Sequence, residues 1–508
     1  MNEIFFKSVL LLTTRCIVIQ FDKVVSLELL IDSQNLIQIQ RKTLNSLLHW
    51  EDCTEKVLYW FCAAPSKGNP ERENMYAHPA NIYVQVTEKE WFITNPVHKT
   101  GDIVEAEVAS YLTCPESANP GEDSLEKLYN QGYATEEPVS LPEVYRNLPP
   151  EKGAPVSFSV AVTYACDLQC AYCFQRADPH LPKDACLDKE KISSLVSAVD
   201  ALKRKFLVLF PSDYTVEFTG GEPLLPANRS IIEHLLDTFR RDPILITTNG
   251  IHILDFAELL SGYRVRLKVT LDGTPSVHDG RKKTLSREGT YHKIVEGVEK
   301  ACTAGIPVSV KVNIDPDNVK DLPHLVDQFR SYGWTDNEKI TLGLARVRET
   351  LEYSSVWTTS EYVEHVCFYL EKYNLQEYFE IFFPGHQYFH DIILGEKPET
   401  SIYKCRTDRN YFFSPDGLIY VCIRMTQNPV GRFFPQFSVD EEQVTQLLSR
   451  NIKTMSKCLE CPYALICGGG CPADSMKEHG HIFHPMCVDY SRILKAYIPY
   501  LLRTASRK

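Results

Sequence analysis

Short runs of apolar residues, each followed by a stretch with helical spacing, cover the middle of the chain. This alternation predicts parallel βα units. The predicted strands lie at 156–163, 214–218, 243–250, 265–271, 308–314 and 340–346, and the predicted helices lie at 231–240, 256–260, 291–302 and 319–331. Six such units predict an α/β chain whose strands form a partial (β/α)6, TIM-like barrel.

The two ends of the chain have patterns of their own. The N-terminal part predicts a small α+β domain, with strands at 24–31 and 81–86 and helices at 43–49, 104–112 and 124–133. A proline- and charge-rich stretch at 140–155 predicts a linker, and 490–502 predicts an amphipathic helix. The predicted domains are an N-terminal domain at 1–150, the barrel at 151–350, a helical bridge at 351–400 and a C-terminal domain at 401–508.

Composition narrows the classes of function. The net charge of -12 argues against nucleic acid as a main partner, because phosphate binding requires a basic face. No apolar run is long enough to cross a bilayer, so we expect no membrane partner. Seventeen cysteines without a signal peptide predict a reducing, cytoplasmic location and metal sites rather than disulfides.

Three cysteines stand close together directly after the first predicted barrel strand. Cys166, Cys170 and Cys173 have the spacing C-x-x-x-C-x-Y-C and follow the strand at 156–163. Barrels place their chemistry at the carboxyl ends of strands. Three thiolates in one loop can hold three irons of a [4Fe–4S] cube, which leaves the fourth iron open. A structural zinc loop is the alternative interpretation.

This motif resembles that of the radical SAM superfamily. The resemblance implies that the open iron binds S-adenosylmethionine (SAM) and that an electron from the cluster cleaves it to a 5′-deoxyadenosyl radical. It makes Cys166, Cys170 and Cys173 the catalytic cysteines. It also implies a set of residues that contact SAM at the strand ends: Tyr172, Gly220, Gly221, Glu222, Asn249, Thr270, Asp272 and Arg281. Thr270 stands where the family usually has serine, and we expect His278 and Asp279 to stabilise their loop.

A second group of cysteines lies near the C-terminus and resembles the SPASM domain of the same superfamily. Its members are Cys405, Cys422, Cys458, Cys461, Cys467, Cys471 and Cys487. The resemblance implies two auxiliary [4Fe–4S] clusters, an outer one held by Cys458, Cys461, Cys467 and Cys487 and an inner one held by Cys405, Cys422 and Cys471. Seven ligands for two cubes leave one iron of the inner cluster open, unless Cys186 or Cys367 closes it. One or two zinc sites are the alternative.

Together these features predict a radical SAM/SPASM enzyme that oxidatively modifies a side chain of a ribosomal peptide or protein, for example by forming a thioether or another cross-link. Such an enzyme implies a precursor peptide as substrate and an electron donor such as flavodoxin or ferredoxin. The segment 124–133 weakly resembles part of a winged-helix element that recognises leader peptides, which would give residues 1–150 that role. A generic capping domain is an equal alternative.

Three other functions remain as alternatives. An anaerobic sulfatase maturase usually has an aspartate where this chain has Ile423, which counts against that function. Enzymes of molybdopterin-precursor synthesis have a shorter C-terminal cysteine pattern and end in glycines. An iron–sulfur electron carrier or scaffold needs no SAM pocket, and the loop at Gly220–Pro223 argues against it.

Overall fold

The structure is a computed structural model that describes residues 75–114, 121–151, 154–350 and 352–505. These residues belong to one unit, which begins at Pro70. The strand predicted at 24–31 and the helix predicted at 43–49 lie outside the described residues.

Residues 75–151 form small antiparallel sheets with short helices. The strands are β1 (Tyr76–Ala77), β2 (Ile82–Gln85), β3 (Glu90–Asn95), β4 (Thr100–Glu105) and β5 (Ala134–Thr135), and the helices are α1 (Ala106–Thr113), α2 (Glu122–Asn130) and α3 (Leu141–Asn147). Strands β2, β3 and β4 pair in chain order, and β1 pairs with β5. The helix predicted at 104–112 begins only at Ala106, because residues 100–105 complete the sheet beside β3.

The barrel follows. Its strands are β6 (Val156–Thr163), β7 (Tyr214–Gly220), β8 (Ile244–Thr248), β9 (Val265–Thr270), β10 (Val308–Ile314), β11 (Ile340–Arg346) and β12 (Glu380–Phe382). Its helices are α4 (Phe174–Ala177), α5 (Lys189–Lys205), α6 (Arg229–Thr238), α7 (Ile253–Leu260), α8 (Pro275–Arg281), α9 (Tyr291–Thr303), α10 (Leu322–Ser331), α11 (Thr359–Lys372) and α12 (His386–Ile393). Helix α10 begins later than the predicted residue 319, because Pro323 is tolerated only in a first helical turn.

The remaining elements belong to the C-terminal part. They are β13 (Asn410–Phe413), β14 (Leu418–Tyr420), β15 (Gly431–Arg432), β16 (Ser438–Val439), α13 (Glu441–Leu448), α14 (Ser456–Leu459), α15 (Ala464–Cys467), α16 (Pro472–His479) and α17 (Tyr490–Ala505).

One sheet runs through the barrel and into the C-terminal part. Strands β6 to β12 pair in parallel in chain order, and β13 pairs in parallel with the free edge of β6. The hairpin strands β14 to β16 continue the sheet in antiparallel pairing. The predicted α/β fold is therefore confirmed, with one strand added beyond the six predicted at each edge of the parallel sheet. Because β13 is joined to β6, the residues around Cys405 and Cys422 are tied directly to the strand that leads into the first cysteine loop.

Candidate functional site

Polar residues gather where the central strands end. The loop with Cys166 follows β6, Gly221 and Glu222 follow β7, Asn249 follows β8, and Asp272 follows β9. The carboxyl ends of parallel neighbours meet at one edge of a sheet. The structure therefore brings the predicted SAM-contact residues to one face of the barrel, around the three cysteines.

The first cysteine loop has the features of a thiolate site. The sulfur of Cys166 accepts the N–H of Leu168 at 3.5 Å, and the sulfur of Cys173 accepts the N–H of Arg176 at 3.4 Å. Burial raises the pKa of Cys166 to about 12 and that of Cys170 to about 11, and the charges of neighbouring cysteines act in the same direction. A bound cation would reverse this, because a coordinating thiol is deprotonated. The three residues fit a [4Fe–4S] cluster.

Two glycines explain how close the loop after β7 lies to the cysteine loop. The N–H groups of Gly221 and Glu222 donate to the carbonyls of Thr163 and Ala165 at 2.7 and 2.9 Å. A Cβ atom on Gly220 would stand 2.2 Å from the Thr163 carbonyl oxygen, and one on Gly221 would stand 2.3 Å from that of Ala165. Gly220 also has φ +127°, which side chains rarely adopt. Any side chain here would push the two loops apart.

Glu222 joins the same loop to the end of β8. Its carboxylate is fully buried and accepts the Thr248 hydroxyl at 2.7 Å and the N–H groups of Asn249 and Leu224 at 2.6 and 2.8 Å. Burial raises the pKa of Glu222 to about 7, against the effect of these donors. Because all three donors come from the protein, the carboxylate positions the two loops.

Asn249 is held by a pair of residues that the sequence analysis missed. Its side-chain amide donates to Asp167 at 2.8 Å, and the other oxygen of Asp167 lies 2.8 Å from Nε2 of His252. Although burial opposes it, these hydrogen bonds lower the pKa of Asp167, and the pair raises the pKa of His252. The polar residues flanking Cys166 and Asn249 in the sequence were the available signal. The contact fixes the cysteine loop to the end of β8.

Tyr172 and Asp272 meet on the other side of the cysteine loop. The Tyr172 hydroxyl donates to the fully buried carboxylate of Asp272, which also accepts the N–H of Asn313 at 2.9 Å. The side-chain amide of Asn313 donates to the Tyr172 hydroxyl at 3.2 Å. Asn313 was not predicted, although it lies near the end of the apolar strand β10.

Arg281 is paired with a residue that was also not predicted. Its two terminal nitrogens donate to the two oxygens of Asp315 at 3.1 and 2.6 Å, and Tyr353 donates to the same carboxylate at 2.6 Å. The structure thus brings Arg281 within 3.9 Å of Asp272, with its charge neutralised by Asp315. The sequence N-I-D-P-D-N after β10 was the available signal.

The remaining predicted residues of this face have structural partners. Thr270 ends β9, and its carbonyl accepts Nζ of Lys282 at 3.3 Å. His278 accepts the N–H of Asp272 at 3.1 Å, and Asp279 accepts the N–H groups of Thr290 and Tyr291 at 2.7 and 3.0 Å. These bonds agree with the expected loop-stabilising role of His278 and Asp279.

Charge effects connect the seven C-terminal cysteines in two groups. Besides the loss of solvent around each sulfur, the charges of Cys467, Cys461 and Cys487 raise the pKa of Cys458, and those of Cys422 and Cys471 raise the pKa of Cys405. These are the two groups, of four and of three, that the SPASM resemblance implied. We call them the outer set and the inner set.

Three consecutive glycines separate the two sets. Gly468, Gly469 and Gly470 all have positive φ, between +61° and +79°. A Cβ atom on Gly469 would stand 2.2 Å from Cε of Met455 and 3.5 Å from the sulfur of Cys458. One on Gly470 would stand 2.1 Å from the carbonyl oxygen of Met486. The backbone here packs tightly against Met455 and Met486 and runs beside the sulfur of Cys458.

The inner set has a basic neighbour. Arg424 donates its N–H to the sulfur of Cys422 at 3.4 Å and a side-chain nitrogen to the sulfur of Cys471 at 3.5 Å. Its guanidinium also pairs with Asp474, which Arg348 contacts at 2.8 Å. Hydrogen bonds to sulfur are typical of cluster thiolates, so the inner set also fits a cluster.

The two cysteines considered as an eighth ligand have other surroundings. Cys186 lies opposite Thr163 in an isolated β-bridge, and its sulfur is 3.6 Å from the side-chain oxygen of Asn228. Cys367 is buried on α11. Burial holds the pKa of its thiol well above the usual value, and the charge of Glu371 raises that pKa further. The structure brings neither to the inner set.

The described residues contain neither a compact single-metal site nor a helix that could cross a membrane. In the described ranges, no three His, Cys, Asp or Glu side chains are placed to hold a single metal ion. The ligands of a four-iron cube bind different irons and stand farther apart, so the cluster assignments stay predictions. No helix in the part of the chain that the structure describes is long and apolar enough to cross a membrane.

Comparison with known proteins identifies the barrel. Residues 160–329 match the family model of the radical SAM superfamily. GTP 3′,8-cyclase of Nitrobacter winogradskyi is 31% identical over 195 residues, which is 37% of this chain and 51% of the relative. That of Bradyrhizobium diazoefficiens is 33% identical over 174 residues, 33% of this chain and 47% of the relative. The chain therefore spans about half the length of these curated relatives.

Solved structures extend the similarity of fold. Native anSMEcpe with bound AdoMet aligns with a TM-score of 0.55 at 18% identity, over 70% of this chain and 100% of that chain. Native anSMEcpe with bound AdoMet and Cp18Cys peptide gives 0.52 at 16% identity over the same shares. The chain contains a radical SAM domain with the fold of that superfamily. The radical SAM family that this match names implies a [4Fe–4S] cluster and SAM as cofactors.

Proposed function

We propose that this chain is a radical SAM/SPASM enzyme that oxidatively modifies a side chain of a peptide or protein and binds three [4Fe–4S] clusters. The observation that carries the proposal is that the segment with the seven C-terminal cysteines is joined by β13 to β6, the strand that leads into the first cysteine loop. The AdoMet- and peptide-bound states of the similar anSMEcpe structures support it.

Each of the three groups of cysteines would bind one cluster. Cys166, Cys170 and Cys173 would hold the cluster that works with SAM, the outer set a second, and the inner set a third. When bound, SAM and its cluster supply a carbon-centred radical that removes a hydrogen atom from the substrate. The protein's own part is to fix the cysteine loop against the ends of β7 and β8, through Glu222 and Asp167.

The domain boundaries and partners follow from the same proposal. Residues 151–350 form the radical-generating domain, 351–400 connect it, and 401–508 hold the auxiliary clusters. Residues 1–150 serve the recognition of a precursor peptide, and a flavodoxin or ferredoxin supplies electrons. Cys405, Cys422 and Cys471 would supply three thiolates to an inner cluster, and its remaining iron would then be open to a substrate thiolate, which would favour thioether formation.

A GTP 3′,8-cyclase activity is the second candidate, because the curated relatives carry that name at 31–33% identity. Those alignments account for 37% and 33% of this chain. An anaerobic sulfatase-type maturase and an electron carrier are weaker candidates. Ile423 stands at the position of the expected base, and a carrier would not need the close packing of Gly220 and Gly221 against the cysteine loop.

The test is anaerobic reconstitution followed by product analysis. We expect about twelve irons per chain, and about four fewer when Cys166, Cys170 and Cys173 are all replaced by alanine. The wild type should form 5′-deoxyadenosine and the triple variant should form none. Incubation with candidate precursor peptides should then change a peptide mass, whereas incubation with GTP should leave the nucleotide unchanged. Conversion of GTP without any peptide product would favour the second candidate.

A further inference from the structure

Arg450 is a buried guanidinium that lies between the outer and the inner set of cysteines. It follows α13 in the sequence, and only 5% of the residue is exposed. Burying a charged group is costly unless an opposite charge compensates it. A negatively charged group is therefore expected close to the guanidinium of Arg450.

Its hydrogen-bond partners are all neutral. Nε donates to the carbonyl of Ile482, and one terminal nitrogen donates to the carbonyls of Gly469 and His484 at 2.8 and 3.3 Å. Among the described residues, no carboxylate oxygen lies within 4.0 Å of its nitrogens. Arg406 and Arg424, in the same part of the chain, each have an aspartate partner. Arg450 therefore differs from its neighbours in having no acidic counter-ion.

The groups facing Arg450 that can become negative are thiols of both sets, which lose their protons when they coordinate a metal. Cys458 and Cys467 of the outer set and Cys405 and Cys471 of the inner set act on its charge. Gly469, whose carbonyl it binds, stands in the sequence between Cys467 and Cys471, one member of each set. Arg450 and Cys405 also line the same small pocket. The guanidinium of Arg450 is thus placed to interact electrostatically with negative charge on either set of cysteines.

We propose that Arg450 is the shared counter-ion of the two auxiliary clusters and that it raises the reduction potential of both. This inference rests on the proposed function, because it requires both clusters. Each thiolate-bound cube becomes more negative when it takes up one electron. A fixed positive charge in a buried, weakly screened position favours that reduced form. Arg450 acts here as a positioning and tuning residue and contacts no substrate.

A purely mechanical role is the rival explanation. The three carbonyls that Arg450 binds come from residues 469, 482 and 484, so the side chain also holds the segment between Cys467 and Cys487 in place. Arg450→Met keeps an unbranched apolar stem and removes both the charge and the donors. Arg450→Lys keeps the charge and loses the planar fork of donors. The two variants therefore separate charge from clamping.

The experiment measures reduction potentials in the full, anaerobically reconstituted chain by titration followed with electron paramagnetic resonance. The auxiliary signals are those that persist when Cys166, Cys170 and Cys173 are alanine. We expect Arg450→Met to lower both auxiliary potentials, each by at least a tenfold change in the reduction equilibrium, which is 59 mV for one electron. Arg450→Lys should stay closer to the wild type. The control is Arg492→Gln, which removes an exposed arginine paired with Glu364 and should shift neither potential.

Three outcomes decide the proposal. Unchanged potentials in an Arg450→Met variant that holds its full iron would overturn it. If Arg450→Met loses auxiliary iron, Arg450→Lys decides: full iron with wild-type potentials supports the counter-ion role, and equal iron loss shows a clamp and overturns it. A wild-type chain without two auxiliary signals would instead refute the proposed function. The wild-type spectrum is therefore recorded before any variant is compared with it.

Discussion

Glu222 has two roles in the candidate site: its carboxylate joins two loops by hydrogen bonds, and its raised pKa makes the stability of the fold depend on pH. Its pKa is raised by burial from 4.5 to about 7, so between these pH values the folded chain binds a proton that the unfolded chain releases. The free energy of unfolding must therefore fall as pH rises through that window. Its carboxylate accepts three hydrogen bonds, from Leu224, Thr248 and Asn249, and so joins the loop after β7 to the end of β8.

Replacing Glu222 by glutamine tests this titration. The variant cannot take up the proton, so the fall in unfolding free energy between pH 4.5 and pH 7 should shrink by about 3 kcal/mol relative to the wild type. Urea denaturation at several pH values measures it. Parallel pH profiles for the two proteins would contradict the raised pKa. Glu258→Gln, in the neighbouring helix α7, serves as a control for loss of charge.

The glycines at the end of β7 give a second residue-scale prediction. Gly221→Ala places a methyl group 2.3 Å from the Ala165 carbonyl oxygen, so the cysteine loop must shift. We expect a destabilisation of about 1–3 kcal/mol and loss of iron from the first cluster, read by thermal denaturation and iron analysis. Gly280→Ala is the matched control, because a Cβ atom at Gly280 in α8 would meet nothing within 4 Å. Equal iron content in both variants would argue against the close packing.

At the scale of elements, α8 is anchored to the loop after β10 by one ion pair. Asp315 is fully buried and binds Arg281 through both oxygens. Asp315→Asn leaves the guanidinium of Arg281 without its partner and should cost about 3 kcal/mol in urea unfolding. Asp317→Asn, two residues away and exposed, should cost far less. Similar losses in the two variants would show that the pair does not anchor the helix.

The elements also show what could be predicted from sequence. Strand β11 begins and ends at the predicted residues 340 and 346, because its apolar run follows the polar residue Lys339 and ends at Arg346. Strand β12 has three residues and was missed, since its place depends on pairing with Gly343 to Ala345 of β11 rather than on its own pattern. Helix α5 was also missed, although Asp188 caps it and an apolar residue recurs at helical spacing.

Some residues of the candidate site were also predicted from the sequence, and others were not. The close packing of Gly220 and Gly221 was predictable, because a tight backbone approach leaves a local trace in the sequence, and the assignment of cysteines to clusters stays a prediction. Asp315, Asn313 and His252 were not predicted, because their partners are distant in sequence and meet only when the strands assemble. Arg450 has no local signal at all: its significance lies in being buried among carbonyls without a carboxylate.

At the scale of the whole molecule, residues 75–151 are joined to the rest by specific contacts. Thr94 and Tyr388 share a hydrogen bond of 2.5 Å between their hydroxyls, and the Tyr145 hydroxyl donates to the carbonyl of Cys461 at 2.9 Å. A Cβ atom on Gly101 would collide with Ile392. Removing all of residues 1–150 would therefore damage the outer set as well as any recognition surface. A shorter deletion, of residues 1–69, removes only the first unit of the chain and leaves the second unit, which begins at Pro70, complete.

The last prediction uses that shorter deletion. If the N-terminal part recognises a precursor peptide, removal of residues 1–69 should weaken binding of the full precursor at least tenfold, as measured by fluorescence anisotropy. The truncated chain should keep about twelve irons and its substrate-independent formation of 5′-deoxyadenosine, because every cysteine of the three sets lies beyond Pro70. Tyr145→Phe is the opposite control: it removes the bond to Cys461 and should lower auxiliary iron while leaving peptide affinity unchanged. Equal precursor affinity of the truncated and intact chains would reject a recognition role for residues 1–69, and the peptide would then have to be bound by the part of the chain that carries the clusters.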